Sequence, residues 1–307
     1  MMISAVIPTY SRENLLRDAV MSVQSQDFPG VETETIVVND AAEPLHRAEW
    51  QDLPGVTVVN THQKERCVAR NTGAALARGK YLHFLDDDDV LLPGAYAALL
   101  EAAERTDAVF TFGSYEAVID DGAVVNVVRP LPVGHAYAVL VAGLGITLGA
   151  GLLRRDAFLG AGGFDLSFTI MEDMELLQRV AMLGEFAGIQ NIVARWRAGG
   201  HTLSTTDLGA GSEACRRQRE KAFSHPDCFA NIAKSLREHR SPELRGRLVR
   251  YYFGSASRNA KEGRVLAAIS RTGAGLALMG RGVAYPSFWA AACGRRTPVV
   301  PGLFAAQ

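Results

Sequence analysis

Runs of continuously apolar, β-branched residues alternate with helical segments through the first 120 residues of this chain. Four of these runs are ISAVIPTY (3–10), ETIVVND (34–40), VTVVNT (56–61) and YLHFLDDDD (81–89). Strands that are apolar on both faces, with helices between them, are typical of a mainly parallel sheet covered on both sides. The sequence therefore predicts a doubly wound α/β fold, in which ligands bind beyond the carboxyl ends of the strands.

Three helices are predicted between the strands of this sheet. The segment NLLRDAVMSVQSQ repeats apolar residues at helical spacing, and Ser11 is a suitable residue to cap its first turn. The segment VARNTGAALARGK is helical and is predicted to end at Gly79. We expect the third helix to run from Gly94 to about Arg105.

After about residue 105 the alternation of strands and helices gives way to a hairpin pattern and then to a mainly helical region. Strand-like segments on both sides of Asp121 and Gly122 predict a hairpin, because Asp-Gly favours a tight turn. Helical periodicity dominates from about residue 213 to residue 292, after the polar segment TTDLGAGS (205–212). We therefore predict an α/β domain over residues 1–207 and a helical region over residues 208–307.

The formal net charge is −1, but it is unevenly distributed along the chain. Residues 235–307 contain 12 Lys and Arg residues against 3 Asp and Glu residues, so they carry +9 and the preceding residues carry −10. Two interpretations stay open: a solvated helical cap over the α/β domain, or peripheral contact with an anionic membrane surface. In the second, arginines would face lipid headgroups and aromatic residues would lie at the interface: Arg245, Arg247, Arg250, Arg258, Tyr251, Tyr252, Phe253 and Trp289. No nucleic-acid-binding motif accompanies the basic residues, so nucleic acid is not an expected partner.

Cysteine usage and the apolar segments indicate a cytoplasmic protein. Cys67, Cys215, Cys228 and Cys293 are far apart without metal-ligand spacing, which is typical of free thiols in a reducing compartment. The N-terminus MMISAVIPTY lacks the features of a signal peptide. Residues 136–153 form 18 residues without a charge, the lower limit for a membrane span, but their four glycines favour buried core.

Four consecutive aspartates, at residues 86–89, follow the fourth apolar run. Adjacent carboxylates repel one another, which costs stability unless a cation or solvent relieves the repulsion. A hard cation such as Mg²⁺ or Mn²⁺ takes carboxylate oxygens as ligands, and phosphate oxygens can complete its shell. A solvated acidic turn explains the same residues, so this motif alone leaves both interpretations open.

A second acidic pair, Glu172 and Asp173, begins an amphipathic helix. Its predicted buried face consists of Leu176, Leu177, Val180 and Leu183. Thr169 and Glu172 fit a capping box, which gives Glu172 a structural explanation. Asp173 is less well explained in this way and is a candidate general base for an acceptor hydroxyl.

The motifs AVIPTYSR, ETIVVND, VARNTGAALARGKYLHFLDDDDVLLPG and GGFD…MEDMELLQRVAMLG occur in the order and spacing of family 2 glycosyltransferases. Over about residues 2–205 the chain resembles that family. The resemblance implies a GT-A fold, with a Rossmann-like, mainly parallel sheet flanked by helices, here followed by a helical C-terminal extension. It also implies an inverting enzyme that transfers a sugar from a nucleotide-sugar donor to an acceptor hydroxyl.

The resemblance assigns nucleotide-binding roles to residues at two strand ends and to an arginine further along the chain. The turn after the first strand and the aspartate after the second would hold the base, and these positions are Pro8, Thr9, Tyr10 and Asp40. An aspartate there can accept a hydrogen bond from the imide N–H of uracil or thymine, although turn-initiating aspartates are common. Arg70, with Arg66 near it, would approach the diphosphate or the ribose.

The resemblance also assigns the cation site and the catalytic base. Asp86 would bind ribose or the cation, Asp87 would lie beside the nucleotide, and Asp88 would be a direct ligand of Mn²⁺ or Mg²⁺. His201, in the loop after a late strand, is a further candidate for contact with the cation or phosphate. Asp173 would be the catalytic base, with Glu172 beside it near the acceptor.

Three departures from the family pattern are visible, of which one is the replacement of the usual Gly-Ser by Ala41 and Ala42. Asn39 stands where the family usually has the first of two aspartates, and we expect nucleotide binding to survive because Asp40 is the residue assigned to the base. Asp87 replaces a residue that is often small, and we expect its carboxylate to face water.

The resemblance implies a UDP- or dTDP-linked donor and leaves the acceptor open between a glycan, a lipid-linked sugar and a small molecule. The activity would belong to cell-envelope polysaccharide, glycolipid or glycoconjugate synthesis.

One alternative is a haloacid-dehalogenase-like phosphatase with Asp86 as nucleophile and Asp88 as acid and base, but the later acidic pair lacks the setting such enzymes need. The other is a non-catalytic nucleotide-sugar-binding protein, which would usually have lost one acidic motif. A dehydrogenase is disfavoured further, because GLGITLGAG does not follow a strand with the required glycine spacing.

Overall fold

The computed structural model of the chain describes residues 1–119, 122–129, 133–144, 146–197 and 208–294. The chain forms two compact units. One unit comprises Met1–Val133 and Ile146–Ala214, and the other comprises Gly134–Gly145 and Cys215–Gln307.

The first unit contains one sheet, to which nine strands contribute in the described residues. The strands are β1 (Met2–Thr9), β2 (Glu32–Asn39), β3 (Val56–Asn60), β4 (Tyr81–Phe84), β5 (Val90–Leu91), β6 (Phe110–Val118), β7 (Val124–Val128), β8 (Gly151–Arg154) and β9 (Phe186–Arg197). Their order is β3-β2-β1-β4-β8-β6-β9-β5, and β7 pairs with β6. Strands β3, β2, β1 and β4 are parallel, and so are β6 and β9, whereas β8 is antiparallel to both β4 and β6. The predicted mainly parallel α/β sheet is confirmed.

Helices connect these strands and build the second unit. They are α1 (Glu13–Gln24), α2 (Arg66–Leu76), α3 (Ala95–Thr106), α4 (Tyr137–Val141), α5 (Arg155–Ala161), α6 (Glu172–Val180), α7 (Leu208–Ser224), α8 (Cys228–Glu238), α9 (Pro242–Lys261), α10 (Val265–Met279) and α11 (Pro286–Ala292). The predicted third helix is therefore present as α3.

Helix α1 forms where helical spacing predicted it, and its apolar face is fully buried. The residues of that face are Leu16, Ala19, Val20 and Val23. The capping role predicted for Ser11 is wrong, because Ser11 has a left-handed backbone with φ of 57°. The helix begins after Arg12, whose carbonyl oxygen accepts the backbone N–H groups of Leu15 and Leu16.

Helix α2 ends at Leu76, before the predicted end at Gly79, because Ala77 is already extended. Gly79 has another function: a Cβ there would lie 2.7 Å from the backbone nitrogen of Ser4 in β1. Gly73, inside the helix, is required for the same reason, since its Cβ would lie 2.3 Å from a methyl group of Val6. These two glycines let the chain around α2 approach β1 closely.

Helix α6 begins at Glu172 without the predicted capping box. Its N-cap is Met171, which has φ of 66°, and no side chain caps the first turn. The helix also ends at Val180, so Leu183 lies beyond it and is exposed instead of buried.

The other sequence predictions concern the hairpin and the uncharged stretch. Strands β6 and β7 form the predicted antiparallel hairpin. In the stretch 136–153, Leu140, Leu152 and Leu153 are fully buried, as expected of core. Among the described residues, none of the helices combines the length and the apolar character that a membrane crossing requires.

The second unit includes α4, which the predicted boundary between residues 207 and 208 places in the α/β domain. The hydroxyl of Ser235 in α8 accepts the N–H of Ala138 at 3.2 Å and donates to the carbonyl oxygen of His135. The N–H of His135 also donates to Glu238 at 2.8 Å. These bonds attach residues 134–145 to α8. The domain boundary was predicted from the composition of residues 205–212, and composition gives no information about such long-range contacts.

The core of the second unit surrounds α9. Tyr252 in α9 is buried and stacks on Phe223, with ring centroids 4.1 Å apart. A Cβ on Gly246 would lie 2.3 Å from the carbonyl oxygen of Phe288, so α11 packs closely on α9. The hypothesis that Tyr252 lies at a membrane interface is therefore wrong.

Candidate active site at the carboxyl ends of the strands

The polar residues that follow β1, β2 and β4 lie at the same end of the sheet. Strand β1 pairs in parallel with both β2 and β4, so Thr9, Asp40 and Asp86 leave neighbouring strands on one side. The N–H of Asp40 donates to the carbonyl oxygen of Thr9 at 2.9 Å. The structure thus places the acidic run beside the turn after β1, where ligands of parallel sheets bind.

Three of the four consecutive aspartates converge. One carboxylate oxygen from each of Asp86, Asp88 and Asp89 lies within 4.8 Å of the other two. Carboxylate oxygens are the ligands that Mg²⁺ and Mn²⁺ prefer, so this donor set fits a divalent cation. Asp89 was not among the predicted ligands, although it belongs to the same run.

Asp87 connects the acidic run to β1. Its side chain is fully buried and accepts a hydrogen bond from Thr9 Oγ1 at 2.7 Å. The expectation that Asp87 faces water is therefore wrong. Thr9 and Asp87, both predicted to bind nucleotide, are bonded to each other.

The acidic run holds more negative charge than its neighbours balance. Desolvation and the charges of Asp86 and Asp88 raise the pKa of Asp89 well above its usual value. Desolvation also raises the pKa of Asp88, and it raises the pKa of Asp87 to about 6. Burial is thus the main cause of these shifts, and the neighbouring carboxylates add to it.

Arg12 balances part of this charge. Its Nη1 donates to Asp88 Oδ2 at 2.5 Å, and its Nη2 lies 2.6 Å from Asp87 Oδ1. Arg12 comes from the same strand end as Thr9, so the turn after β1 supplies both a hydroxyl and a cation to the acidic run. Sequence reasoning missed this residue, although the basic position after Tyr10 is visible in AVIPTYSR.

Arg70 joins the two acidic motifs. Its Nη2 donates to Asp86 Oδ1 at 2.6 Å, and its Nη1 donates to Glu172 Oε1 at 2.7 Å. Arg66 approaches the same Glu172 oxygen at 3.2 Å. Desolvation would raise the pKa of Asp86, but the charge and hydrogen bond of Arg70 outweigh it and lower that pKa. In this structure Arg70, predicted to approach diphosphate or ribose, is bonded to two carboxylates.

Asp173 is a half-buried carboxylate at the start of α6. Its Oδ1 accepts the N–H of Met174 at 2.7 Å. Desolvation and the neighbouring charge of Glu172 raise the pKa of Asp173 to about 6. At neutral pH such a group is mostly ionised, yet it is more basic than an ordinary aspartate, which suits a general base.

Helix α2 fixes the loop that leads to Glu172 and Asp173. Asn71 accepts the N–H of Phe164 and donates to its carbonyl oxygen, both at 2.9 Å. Cys67 Sγ donates to the carbonyl oxygen of Phe168 at 3.2 Å. Together with Arg70, these residues make one face of α2 the support of the second acidic motif. Cys67 has no visible functional signal in the sequence, whereas Asn71 lies within the motif VARNTGAALARGK, where it was assigned no role.

Two of the predicted base-binding residues, Asp40 and Tyr10, contact the loop of residues 61–65. Asp40 is buried, and its carboxylate accepts Thr61 Oγ1 at 2.6 Å, the N–H of Gln63 at 2.9 Å and the N–H of Glu65. Tyr10 is 47% exposed, with Lys64 Nζ 5.9 Å from its ring centroid. Asp40 therefore shapes the loop that lies beside an exposed aromatic ring. Pro8, two residues before Tyr10, is half-buried in β1.

The loop contains two non-glycine residues with left-handed backbone, His62 with φ of 56° and Lys64 with φ of 53°. That conformation is unfavourable for residues with a Cβ, so the bonds to Asp40 hold it in place. Asn39 supports the same region with its side-chain amide, which donates to Asn60 Oδ1 at 2.9 Å and to the carbonyl oxygen of Glu43 at 2.8 Å. An amide suits this buried position because it can both donate and accept.

His201 lies outside the described residues. Close to the acidic run, the N–H of Arg197 donates to Asp89 Oδ1 at 3.0 Å. The end of β9 thus contacts the candidate cation site through its backbone.

Residues 4–141 match the model of the family described as Glycosyl transferase family 2. This part of the chain, 138 of its 307 residues, is similar to family 2 glycosyltransferases, and it is here called the glycosyltransferase domain. The predicted resemblance is thereby confirmed. The second acidic motif lies beyond the matched residues, and it is Arg70 in the glycosyltransferase domain that binds it.

Two curated relatives are similar to the glycosyltransferase domain. One is GalNAc(5)-diNAcBac-PP-undecaprenol beta-1,3-glucosyltransferase of Campylobacter jejuni, 34% identical over 109 residues, which cover 34% of this chain and 35% of the relative. The other is UDP-Glc:alpha-D-GlcNAc-diphosphoundecaprenol beta-1,3-glucosyltransferase WfgD of Escherichia coli, 24% identical over 147 residues, which cover 47% and 57%. The chain thus spans about a third to three fifths of the length of these relatives.

Among solved structures, the chain is similar to S. aureus TarS 1–349 in complex with UDP-GlcNAc. The TM-score is 0.61 at 14% identity, covering 89% of this chain and 91% of TarS 1–349. At that identity the likeness concerns the fold alone, which is the GT-A fold that the sequence predicted.

Proposed function

We propose that the protein is an inverting, divalent-cation-dependent glycosyltransferase that moves a sugar from a UDP- or dTDP-linked donor to an acceptor hydroxyl. The observation that carries this proposal is the bridge by Arg70 between Asp86 and Glu172, at 2.6 and 2.7 Å. It brings the acids assigned to the donor and those assigned to the acceptor into one site. We assign this catalysis to residues 1–207.

Asp173 is the proposed general base. It takes the proton of the acceptor hydroxyl while that oxygen attacks the anomeric carbon of the donor. A carboxylate with a pKa raised to about 6 remains ionised at neutral pH and accepts a proton more readily than an ordinary aspartate. Glu172 is bound by Arg70 and Arg66, so it orients the start of α6 and leaves proton transfer to Asp173.

Asp86, Asp88 and Asp89 are the proposed cation ligands, because their oxygens converge and their charges are incompletely balanced. A bound Mg²⁺ or Mn²⁺ would offset the charge that develops on the departing nucleoside diphosphate. Tyr10 presents its ring to the base, and Asp40 orders the loop of residues 61–65 beside that ring.

We infer a lipid-linked sugar as the acceptor class. The names of the two curated relatives specify sugars on undecaprenyl diphosphate, and one of them specifies UDP-Glc as donor. A reaction of this kind would take place in the cytoplasm, consistent with four cysteines that are all free. The phosphatase alternative is disfavoured because Asp86, its would-be nucleophile, is bound to Arg70.

Isothermal titration with UDP, dTDP and GDP, with and without Mn²⁺, tests the donor site. We expect Mn²⁺-dependent binding of UDP or dTDP by the wild type, loss of that binding in Asp88→Ala, and no loss in Asp52→Ala, which removes an exposed aspartate. An absence of nucleotide binding under every metal condition would overturn the transferase proposal.

A second assay separates catalysis from binding. Hydrolysis or transfer from a UDP-sugar panel should release UDP with the wild type, whereas Asp173→Asn should bind UDP normally and release little. Full turnover by Asp173→Asn would contradict the assignment of the base. Binding without any release by the wild type, with lipid-linked acceptors present, would favour the non-catalytic binding protein instead.

A further inference from the structure

Helix α10 in the second unit has one packed face and one exposed face. On the packed face, Leu278 is buried, and a Cβ on Gly275 would lie 3.2 Å from the ring of Phe253 in α9. On the exposed face, four aliphatic side chains are between 57% and 84% accessible: Val265, Leu266, Ile269 and Leu276. Their spacing places them on one side of the helix.

The exposed face of α10 is uncharged along its whole length, about 22 Å for 15 residues. The other exposed positions are small or weakly polar: Ser270, Thr272, Gly273 and Ala277. The single charged residue of α10, Arg271, belongs to the packed side, since it donates to Ser224 Oγ at 3.2 Å and lies 5.6 Å from the ring of Phe223. Solvent-facing helices normally carry charges on this face, so the face is suited to an apolar environment.

Exposed aromatic residues lie in the segment that follows α10. Trp289 is half-exposed, and its indole N–H is already bonded to the carbonyl oxygen of Val283 at 2.8 Å. Tyr285 is exposed as well. Amphipathic rings of this kind are enriched where apolar and aqueous environments meet.

The charge around α10 is strongly positive. Residues 242–292 contain eight Lys and Arg residues and two Glu residues. Of the two acids, Glu262 pairs with Arg264 and Glu243 accepts the hydroxyl of Ser241. Lys261 and Arg264 are exposed just before the first residue of α10. A second copy of this face would bring like charges together, whereas an anionic lipid surface would attract them.

We propose that the exposed face of α10 lies on a membrane surface that contains anionic lipid. The aliphatic side chains enter the boundary between headgroups and acyl chains, and the basic residues at the start of the helix contact the headgroups. Membrane contact thus falls on α10 rather than on Tyr251, Tyr252 and Phe253 of α9. This inference goes beyond the proposed transfer reaction and does not depend on it.

Co-sedimentation of the full-length protein with lipid vesicles tests the proposal. We expect binding to vesicles of phosphatidylcholine with about a third phosphatidylglycerol, weaker binding to phosphatidylcholine alone, and weakening by salt. The variant Leu266→Glu/Ile269→Glu should lower the partition coefficient roughly tenfold or more, because it puts two charges on the apolar face. The control, Leu76→Glu/Leu183→Glu, changes two half-exposed leucines of the first unit and should bind as the wild type does.

Two further outcomes are informative. Lys261→Gln/Arg264→Gln should reduce binding to the anionic vesicles and leave the weak binding to neutral vesicles unchanged. Equal, negligible sedimentation of wild type and variants would overturn the proposal. So would light scattering that shows a wild-type dimer and a monomer for Leu266→Glu/Ile269→Glu, because the face would then bind a second copy. UDP titration of the same variants, unchanged from the wild type, separates loss of membrane binding from loss of the donor site.

Discussion

Two arginines decide how the acidic residues of the site are arranged. Arg70 binds one carboxylate from each acidic motif, and Arg12 binds two neighbouring carboxylates of the run after β4. Asp89 is left with a backbone N–H as its hydrogen-bond donor, which is why desolvation raises its pKa so far. The distribution of partners, more than the number of aspartates, therefore determines which carboxylates remain for the proposed cation.

We expect Arg12→Gln to bind Mn²⁺ more tightly in the absence of nucleotide. The guanidinium occupies an oxygen of Asp88 and adds positive charge beside the three proposed ligands, so its removal should lower the Kd roughly three- to tenfold. Titration with Mn²⁺ measures this directly. Arg47→Gln, which removes an exposed arginine paired with Asp52, is the control and should leave the Kd unchanged. Weaker Mn²⁺ binding by Arg12→Gln would mean that Arg12 is needed to hold the aspartates in position.

At the scale of the elements, α2 links the sheet to the second acidic motif. The side of α2 that faces β1 packs closely on that strand, because Gly73 has no side chain there. Asn71, Cys67 and Arg70 form hydrogen bonds to the segment that leads into α6 and to its first residue. A shift of α2 against the sheet would therefore displace Glu172 and Asp173 together.

We expect Gly73→Ala to destabilise the protein by about 1–3 kcal/mol, because the new methyl group would meet Val6 at 2.3 Å in a packed interface. Gly273→Ala in α10 is the matched change, since no atom lies within 4 Å of its Cβ position. That variant should stabilise by about 0.5–1 kcal/mol, as alanine favours a helix interior over glycine. Urea unfolding of both variants measures the difference. Equal stability of the two would contradict the close packing of α2 on β1.

The elements differ in how well the sequence predicted them. Strands were recognised because their apolar runs are buried on both faces, and α1 because its apolar residues recur at helical spacing. Helix starts were missed at Ser11 and Met171, since both adopt a left-handed backbone that other interactions impose and local propensity does not reveal. Within the candidate site, Asp86 and Asp88 were assigned from their motif, and the structure brings their carboxylates close together. The burial of Asp87 and the partners of Arg12 and Arg70 depend on contacts between distant segments, and periodicity carries no information about those.

At the scale of the whole molecule, His83 makes stability depend on pH. It is fully buried in β4, with Nε2 3.0 Å from the carbonyl oxygen of Gly149 and Nδ1 2.9 Å from the hydroxyl of Tyr96. Desolvation lowers the pKa of His83 from 6.5 to about 4. The folded state therefore resists protonation that the unfolded state accepts, so stability is complete above about pH 6.5 and falls as the pH drops toward 4.

We expect the lowered pKa of His83 to reduce the free energy of unfolding of the wild type by up to about 3 kcal/mol as the pH falls from about 7 to about 4. The raised pKa values of Asp87, Asp88 and Asp89 act in the opposite direction, so the comparison must be made against a variant. His83→Gln should be less stable than the wild type at neutral pH and should lose less stability on acidification. Urea unfolding at the two pH values measures both. Parallel pH profiles for the two proteins would show that His83 is not the group responsible.

The loop of residues 61–65 has a consequence for the thermodynamics of nucleotide binding. Fixing the backbone of a flexible segment costs roughly 1–2 kcal/mol per residue in conformational entropy. Here three hydrogen bonds to Asp40 already hold the loop beside Tyr10 before any nucleotide arrives. A base that docks there, as proposed, would meet a loop that is already ordered, so binding would not have to supply the entropy cost of ordering it.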